Sequence, residues 1–428
     1  MNSRTREIKW RRLDNTAKIF PVIANENLSN VFRISATLKE NIIPEILQQA
    51  LEEVILWFDG FNVRLRRGFF WYYFETNKRK PLIEKESTYP CKFIDPHSKQ
   101  HFLFRVSYYE KRINLEVFHA ITDGMGAINF LKELTYHYIS LLKYKDSKKE
   151  APRIPSRECI LDTDDSYLKN YKKIPHKPYS SKKAYQLKGD LLYLDTISII
   201  HGYIDLPSLK KVCKEKGVSI TKYLVAVLIW CIYKEYLNKQ SSKDPISINL
   251  PINLRSFFES TTTMNFFAIS SIEFFPEGSD HSFEDILNSV SQQMDKNIQK
   301  EKLEEIISYN VSNEKNPFVR FTPLAIKYIL LQLVYKRVSK RNTMTLSNLG
   351  NITILPEFEE FIEDFHFIIG VSKKQKIKCG VCCYKNRLHI SFTSVLANTY
   401  LQKAFFRTLS DEGVIITIES NGVLNEKM

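Results

Sequence analysis

The sequence predicts a mixed α/β protein built as two domains of similar character. The chain has 428 residues, and a single hydrophobic core stops growing at roughly 250–300 residues. Hydrophobic residues make up 43% and charged residues 26%, the balance of a globular protein. Strand-like alternation and helix-like spacing of apolar residues take turns through both halves. Between the halves, from Lys143 to about Lys188, runs a stretch rich in Lys, Pro and Ser that reads as a linker. With the boundary inside it, the domains are 1–175 and 176–428.

Residues 31–38, VFRISATL, alternate like a strand. Residues 44–58 place apolar side chains at helical spacing, with Pro44 at the start. Extended runs follow in FNVRLRR, FFWYYFET and HFLFRVSYYE. RINLEVFH then sets Ile113, Leu115, Val117 and His119 on one face. After Gly124 an apolar stripe of Ile128, Leu131, Leu134, Tyr138 and Leu141 marks a helix.

The second half opens on a strand, TISIIHGYID, followed by two helices broken near Gly217, the second capped by Ser219 or Thr221. PISINLPINL and FFAISSIEFF read as strands, and SFEDILNSVSQQMDKNIQKEKL as one polar-faced helix. The basic segment RFTPLAIKYILLQLVYKRVSKR reads as a helix packed on the core with a solvated rim. Strands are expected in MTLSNLGNITIL, FHFIIGV and RLHISFTS, and a helix in ANTYLQKAFFRTLSDEG closes the chain.

Composition excludes several classes. The first twenty residues carry charge without an apolar run after it, so no secretory signal is expected. YLVAVLIWCIY is about half of the roughly 20 residues a span needs and reads as a buried helix. A cytoplasmic location and no transmembrane segment are expected. The seven cysteines are scattered, and CGVC (379–382) has no second pair at zinc spacing, so structural strand cysteines are expected. DTDD at 162–165 lacks a full calcium-loop pattern and reads as a linker turn. The net charge of +14 suits nucleic acid, a phosphate-bearing cosubstrate or an acidic carrier protein. No nucleic-acid module accompanies it, so no nucleic-acid partner is expected.

The chemistry concentrates in EVFHAITDGMG, residues 116–126. A strand ends on His119, Asp123 and Gly124 follow, and a helix begins. HAITDG resembles the H-x-x-x-D-G motif of the chloramphenicol acetyltransferase-like superfamily, which includes condensation domains and alcohol acetyltransferases. Residues 32–68, INLPINLRSFFESTTTMNFF and LSNLG are similar to further segments of that superfamily, in the expected order. The alcohol acetyltransferase-like branch looks closest, because Phe118 stands where condensation domains usually carry a second histidine.

The resemblance implies two acetyltransferase-like subdomains forming a pseudo-dimer with a tunnel at their interface. It implies direct transfer of an acyl group, such as acetyl, from a coenzyme A thioester to an alcohol. His119 would be the general base, and no acyl-enzyme would form. No permanently bound cofactor or metal is expected. The acceptor would be a small-molecule or lipid alcohol. A carrier-protein-bound donor or a non-catalytic binding member are the alternatives. Asp123 would hold the loop through an arginine, with Arg64 the preferred partner and Arg33 and Arg66 behind it. Gly124 would allow a tight turn into the helix, whose free N–H groups would favour negative charge. Ser347, Asn348 and Asn265 are candidates for the oxyanion or cosubstrate site, and Arg255 for its border.

Overall fold

The computed structural model describes residues 9–98, 102–144, 162–175, 182–193, 196–278 and 280–423. Much of the expected linker, including the boundary at 175/176, lies outside the described residues. Fifteen strands are described: β1 (Trp10–Arg12), β2 (Val31–Leu38), β3 (Val63–Arg67), β4 (Tyr72–Thr76), β5 (Ile83–Lys85), β6 (Phe104–Tyr109), β7 (Arg112–Phe118), β8 (Ser198–Asp205), β9 (Ile246–Asn253), β10 (Phe267–Phe274), β11 (Met344–Asn351), β12 (Ile362–Ile369), β13 (Ile377–Tyr384), β14 (Arg387–Ser394) and β15 (Ile416–Ser420).

They form three sheets, a 3-stranded β1-β4-β3, a 5-stranded β12-β2-β7-β6-β5 and a 7-stranded β10-β9-β11-β13-β14-β8-β15. The crossover strand is β12. It belongs to the second half of the chain yet completes the sheet of the first, pairing antiparallel with β2 from Ile362↔Leu38 to Ile369↔Phe32. Two large cores result. One lies between the 5-stranded sheet and the helices Pro44–Val54 and Gly124–Tyr144. The other lies between the 7-stranded sheet and the helices Ile220–Glu235, Phe283–Asn297 and Tyr400–Asp411.

Local chemistry explains the element ends. Ser219 caps the helix Ile220–Glu235 by accepting from Lys222 N at 3.4 Å. That helix is apolar on every side and buried from Tyr223 to Ile229. Lys385, at φ 53°, makes the tight turn between β13 and β14. Strand alternation sends Cys379 and Cys382 to opposite faces of β13, one into each core. Burial pushes both thiols up. Of the DTDD stretch, Asp165 caps the short helix Ser166–Lys169, and Asp162 O accepts from Thr263 N at 2.7 Å.

Three expectations need correction. The polar-faced helix after Ser282 is two helices, Phe283–Asn297 and Lys300–Lys315, separated where Ile298 leaves helical geometry. The C-terminal helix does not close the chain, because β15 follows and pairs with β8; the alternation in ITIES was its signal. The helix Leu324–Val338 buries only Leu324 and Lys327. It therefore lacks the broad core contact its apolar content predicts.

Candidate active site

His119 follows the last residue of β7, and its N–H donates to Asn30 O at 2.9 Å. Its ring lies on the seam between the halves. Phe20 stacks on it at 4.7 Å between centroids and Phe32 meets it edge-on at 5.0 Å, both from the first half. Phe267 of β10 approaches at 5.5 Å from the second. The side chain is half-buried, apart from the large surface clefts.

Asn265 defines the tautomer. Its Nδ2 donates to Asp14 Oδ2 at 3.0 Å and to His119 O at 3.1 Å. With both amide hydrogens so placed, Oδ1 is the atom facing His119 Nδ1, at 3.0 Å. An amide oxygen only accepts, so Nδ1 carries the proton and Nε2 keeps the lone pair. Burial, outweighing the opposing charge of Asp123 and the bond to Asn265, holds the imidazole below its ordinary value. The ring is neutral near pH 7. Behind it, burial raises the Asp14 carboxyl to about 7, against the N–H of Ala17 and the amide of Asn265.

Asp123 is saturated. Its Oδ1 accepts from Met125 N at 3.1 Å and Gly126 N at 3.2 Å, capping the helix Gly124–Tyr144. Its Oδ2 accepts from Phe266 N at 2.9 Å. Its partner is Arg255, in a two-pronged pair of 2.8 and 3.0 Å. The expected partner, Arg64, is held instead by Glu75 at 2.7 Å across the β3–β4 ladder, and Arg66 also faces Glu75. Arg33 pairs with Glu116 and Glu86. The family resemblance pointed to the wrong arginine; the fold brings the right one from the other half.

Arg255 has a structural set of partners. Beyond Asp123, its guanidinium donates to Thr262 O, Met264 O and Asn253 Oδ1, so its hydrogens are occupied. Asn265 is no oxyanion donor, because both its hydrogens are committed. Asn348 faces the second core, donating to Thr221 Oγ1 at 3.2 Å and accepting from Gly350 N. Ser347 is half-buried and shares a face of β11 with Leu349. Leu349 abuts the start of the Gly124–Tyr144 helix: a Cβ on Gly124 would lie 2.3 Å from its Cδ2. Ser347 is thus the one former oxyanion candidate left facing the seam.

Gly124 has no left-handed φ. It begins the helix and serves close approach rather than a turn. Two of the helix N–H groups are not free either, since Asp123 takes those of Met125 and Gly126. Gly126 is the tighter position, where a Cβ would lie 2.0 Å from Thr122 Oγ1 and 2.2 Å from Thr263 O. Sequence reasoning missed Gly126, Asp14 and Phe20. Gly126 had a signal in the paired glycines after Asp123. Asp14 and Phe20 had none, because only folding carries the N-terminal segment to the seam. Lys378 of β13 lies within electrostatic reach of His119, and burial lowers its amino group to about 8.

No protein-family model matches the sequence, and no curated protein matches it. Solved structures match over nearly the whole chain. F. sporotrichioides TRI101, complexed with coenzyme A and T-2, is 8% identical with a TM-score of 0.61, covering 95% of this chain and 97% of that one. The starter condensation domain of rhizomide synthetase RzmA, in complex with C8-CoA and Leu-SNAC, is 10% identical at 0.59, covering 94% of each chain. Polyketide synthase associated protein 5 from Mycobacterium tuberculosis is 12% identical at 0.57, covering 93% and 96%. The chain shares the fold of these structures, with two subdomains and the crossover strand β12 between them.

Proposed function

We propose that the protein is an acyltransferase that moves an acyl group, such as acetyl, from a coenzyme A thioester to an alcohol. The observation that carries this is the locked tautomer of His119: a neutral imidazole at the seam, with Nδ1–H on Asn265 and Nε2 unprotonated. The similarity of the whole chain to TRI101 complexed with coenzyme A, and to a condensation domain in complex with C8-CoA, supports the donor class.

Donor and acceptor meet at His119, on the seam. Nε2 takes the hydroxyl proton as the acceptor oxygen attacks the thioester carbonyl. The tetrahedral oxyanion collapses by breaking the carbon–sulfur bond. The thiolate leaves and recovers the proton from the imidazolium. Such base catalysis contributes about 10²–10⁴-fold. Asp123 and Arg255 hold the helix and the Asn265 segment together, and neither moves a proton. We assign the oxyanion contact to Ser347, a contact worth roughly 3 kcal/mol. The acyl-coenzyme A is a cosubstrate found in the cytoplasm, where we place the protein.

The test is release of free thiol from acetyl-coenzyme A in the presence of a panel of alcohols and amines. Alcohol-dependent release that His119→Ala abolishes supports the reading. Release that survives His119→Ala overturns the base. Amine-only turnover makes the enzyme an N-acyltransferase, and activity only with carrier-bound donors replaces coenzyme A.

A further inference from the structure

The helix Leu324–Val338 is apolar around its circumference but packs along a narrow stripe of Leu324, Lys327, Leu331 and Tyr335. Ile326, Ile329, Leu330, Leu333, Val334 and Val338 stand 46–62% exposed. A surface helix ordinarily turns polar residues outward, and a contiguous apolar patch above a few hundred Å² marks an interaction site.

Aromatic residues extend the patch. Leu324 N donates to Phe69 O at 2.8 Å, and Lys327 Nζ to Phe70 O at 2.9 Å. These bonds clasp the turn before β4 to the start of the helix. Phe70 lies 6.2 Å from Phe321. Phe69, Phe318 and Phe321 stand 72%, 86% and 66% exposed. The charge along this stretch of sequence has one sign. Arg320, Lys336, Arg337 and Lys340 border the patch, and no Asp or Glu occurs between Lys315 and Glu357. A cleft of ≈ 620 Å³ beside the helix combines Ile329 and Leu333 with Lys336, Lys373 and Lys374.

Exposed aliphatic side chains, aromatic residues and a basic border together match the boundary between anionic headgroups and acyl chains. We propose that this face docks the protein on an anionic phospholipid bilayer, with the helix lying in the plane of the interface. A second copy fits less well, because a symmetric contact would set the same basic border against itself. Among the described residues no single helix is long and apolar enough to cross a membrane. The contact is therefore peripheral. It stands whether or not the acyl-transfer reading is correct, though the two meet in space: Gln332 Nε2 donates to Val22 O at 2.7 Å, in the short helix Phe20–Ile23 whose Phe20 stacks on His119.

The test is cosedimentation of the full chain with vesicles of phosphatidylcholine alone and of an equimolar phosphatidylcholine–phosphatidylglycerol mixture. Binding to the mixed vesicles that weakens with added salt is expected. Ile329→Ser with Leu333→Ser should weaken it roughly tenfold or more per side chain. Lys336→Glu with Arg337→Glu should weaken it roughly fivefold or more per residue. Unchanged thermal unfolding of each variant shows that the fold is intact. Absence of binding by the folded wild-type chain, or full binding by both variants, overturns the proposal. So does a dimer in sedimentation equilibrium that Ile329→Ser with Leu333→Ser dissociates, which assigns the face to a second copy.

Discussion

Two histidine environments in this molecule differ in what their nitrogens can do. His119 stands alone at the seam with one nitrogen donating and the other open. His201, His366 and His389 cluster between β8, β12 and β14, with ring centroids 5.2 and 5.1 Å apart along the chain of three. His201 Nδ1 meets Ser391 Oγ at 2.9 Å, His366 Nε2 meets the Tyr203 hydroxyl at 3.2 Å, and His389 Nε2 lies 2.6 Å from Asp364. The last contact is short but out of line for a hydrogen bond, and His366 Nδ1 has no partner either. Burial holds His201 down to about 4 and His366 well below the ordinary value. A depressed imidazole is therefore no mark of catalysis in this chain. What separates His119 is the lock on its tautomer and its place where the two halves meet.

The largest expected effect tests that separation directly. His119→Ala should lower thiol release by about 10²–10⁴-fold, while His366→Gln leaves it within about threefold. Equal losses in an acyl-transfer assay would erase the distinction. Next, Arg255→Ala should destabilise the fold by about 3–5 kcal/mol, because it strands the Asp123 carboxylate in the interior. A denaturant midpoint close to wild type would show that the pair does not hold the seam.

Asn265→Ala removes the acceptor that fixes Nδ1. A misplaced base can cost about 10²-fold, and the loss should fall on kcat more than on KM. A loss confined to KM would make Asn265 a substrate contact instead. The pH profile is a finer probe. His119 lies below its ordinary value of about 6.5, so its base form persists on acidification. The acid limb of kcat/KM should fall below that pH, and a limb above it would contradict the neutral ring.

Stability should show the smallest effect, with opposing signs. His119 and His201 are neutral when folded, so from about 6.5 downward the unfolded chain takes the proton first and stability declines. For His201 that decline runs to about 4. Asp14, raised to about 7, is protonated when folded. Its contribution is full below the ordinary carboxylate range and is lost as pH rises toward 7. Asp14→Asn should therefore steepen the acid-side decline in melting temperature, whereas His201→Gln should flatten it.

A second contrast bears on how far the sequence can be read. The helices Ile220–Glu235 and Leu324–Val338 are both apolar around their axes, and both looked like core helices. The first is enclosed by the 7-stranded sheet and its neighbouring helices; the second is covered on one stripe only. Local pattern sets whether a segment is helical, but its burial depends on what the remaining chain brings beside it.

The sequence by itself determined the alternation of strands and helices, the strand leading to His119 and the helix that starts at Gly124. Those follow from apolar spacing and capping residues, which act over a few neighbours. Tertiary structure alone decided that Arg255 and not Arg64 meets Asp123, that Asp14 and Phe20 stand behind and over His119, and that β12 joins the first sheet. Those contacts span up to several hundred residues of chain. They form because burying a carboxylate or an imidazole requires a partner, and only the packed fold determines which partner is within reach.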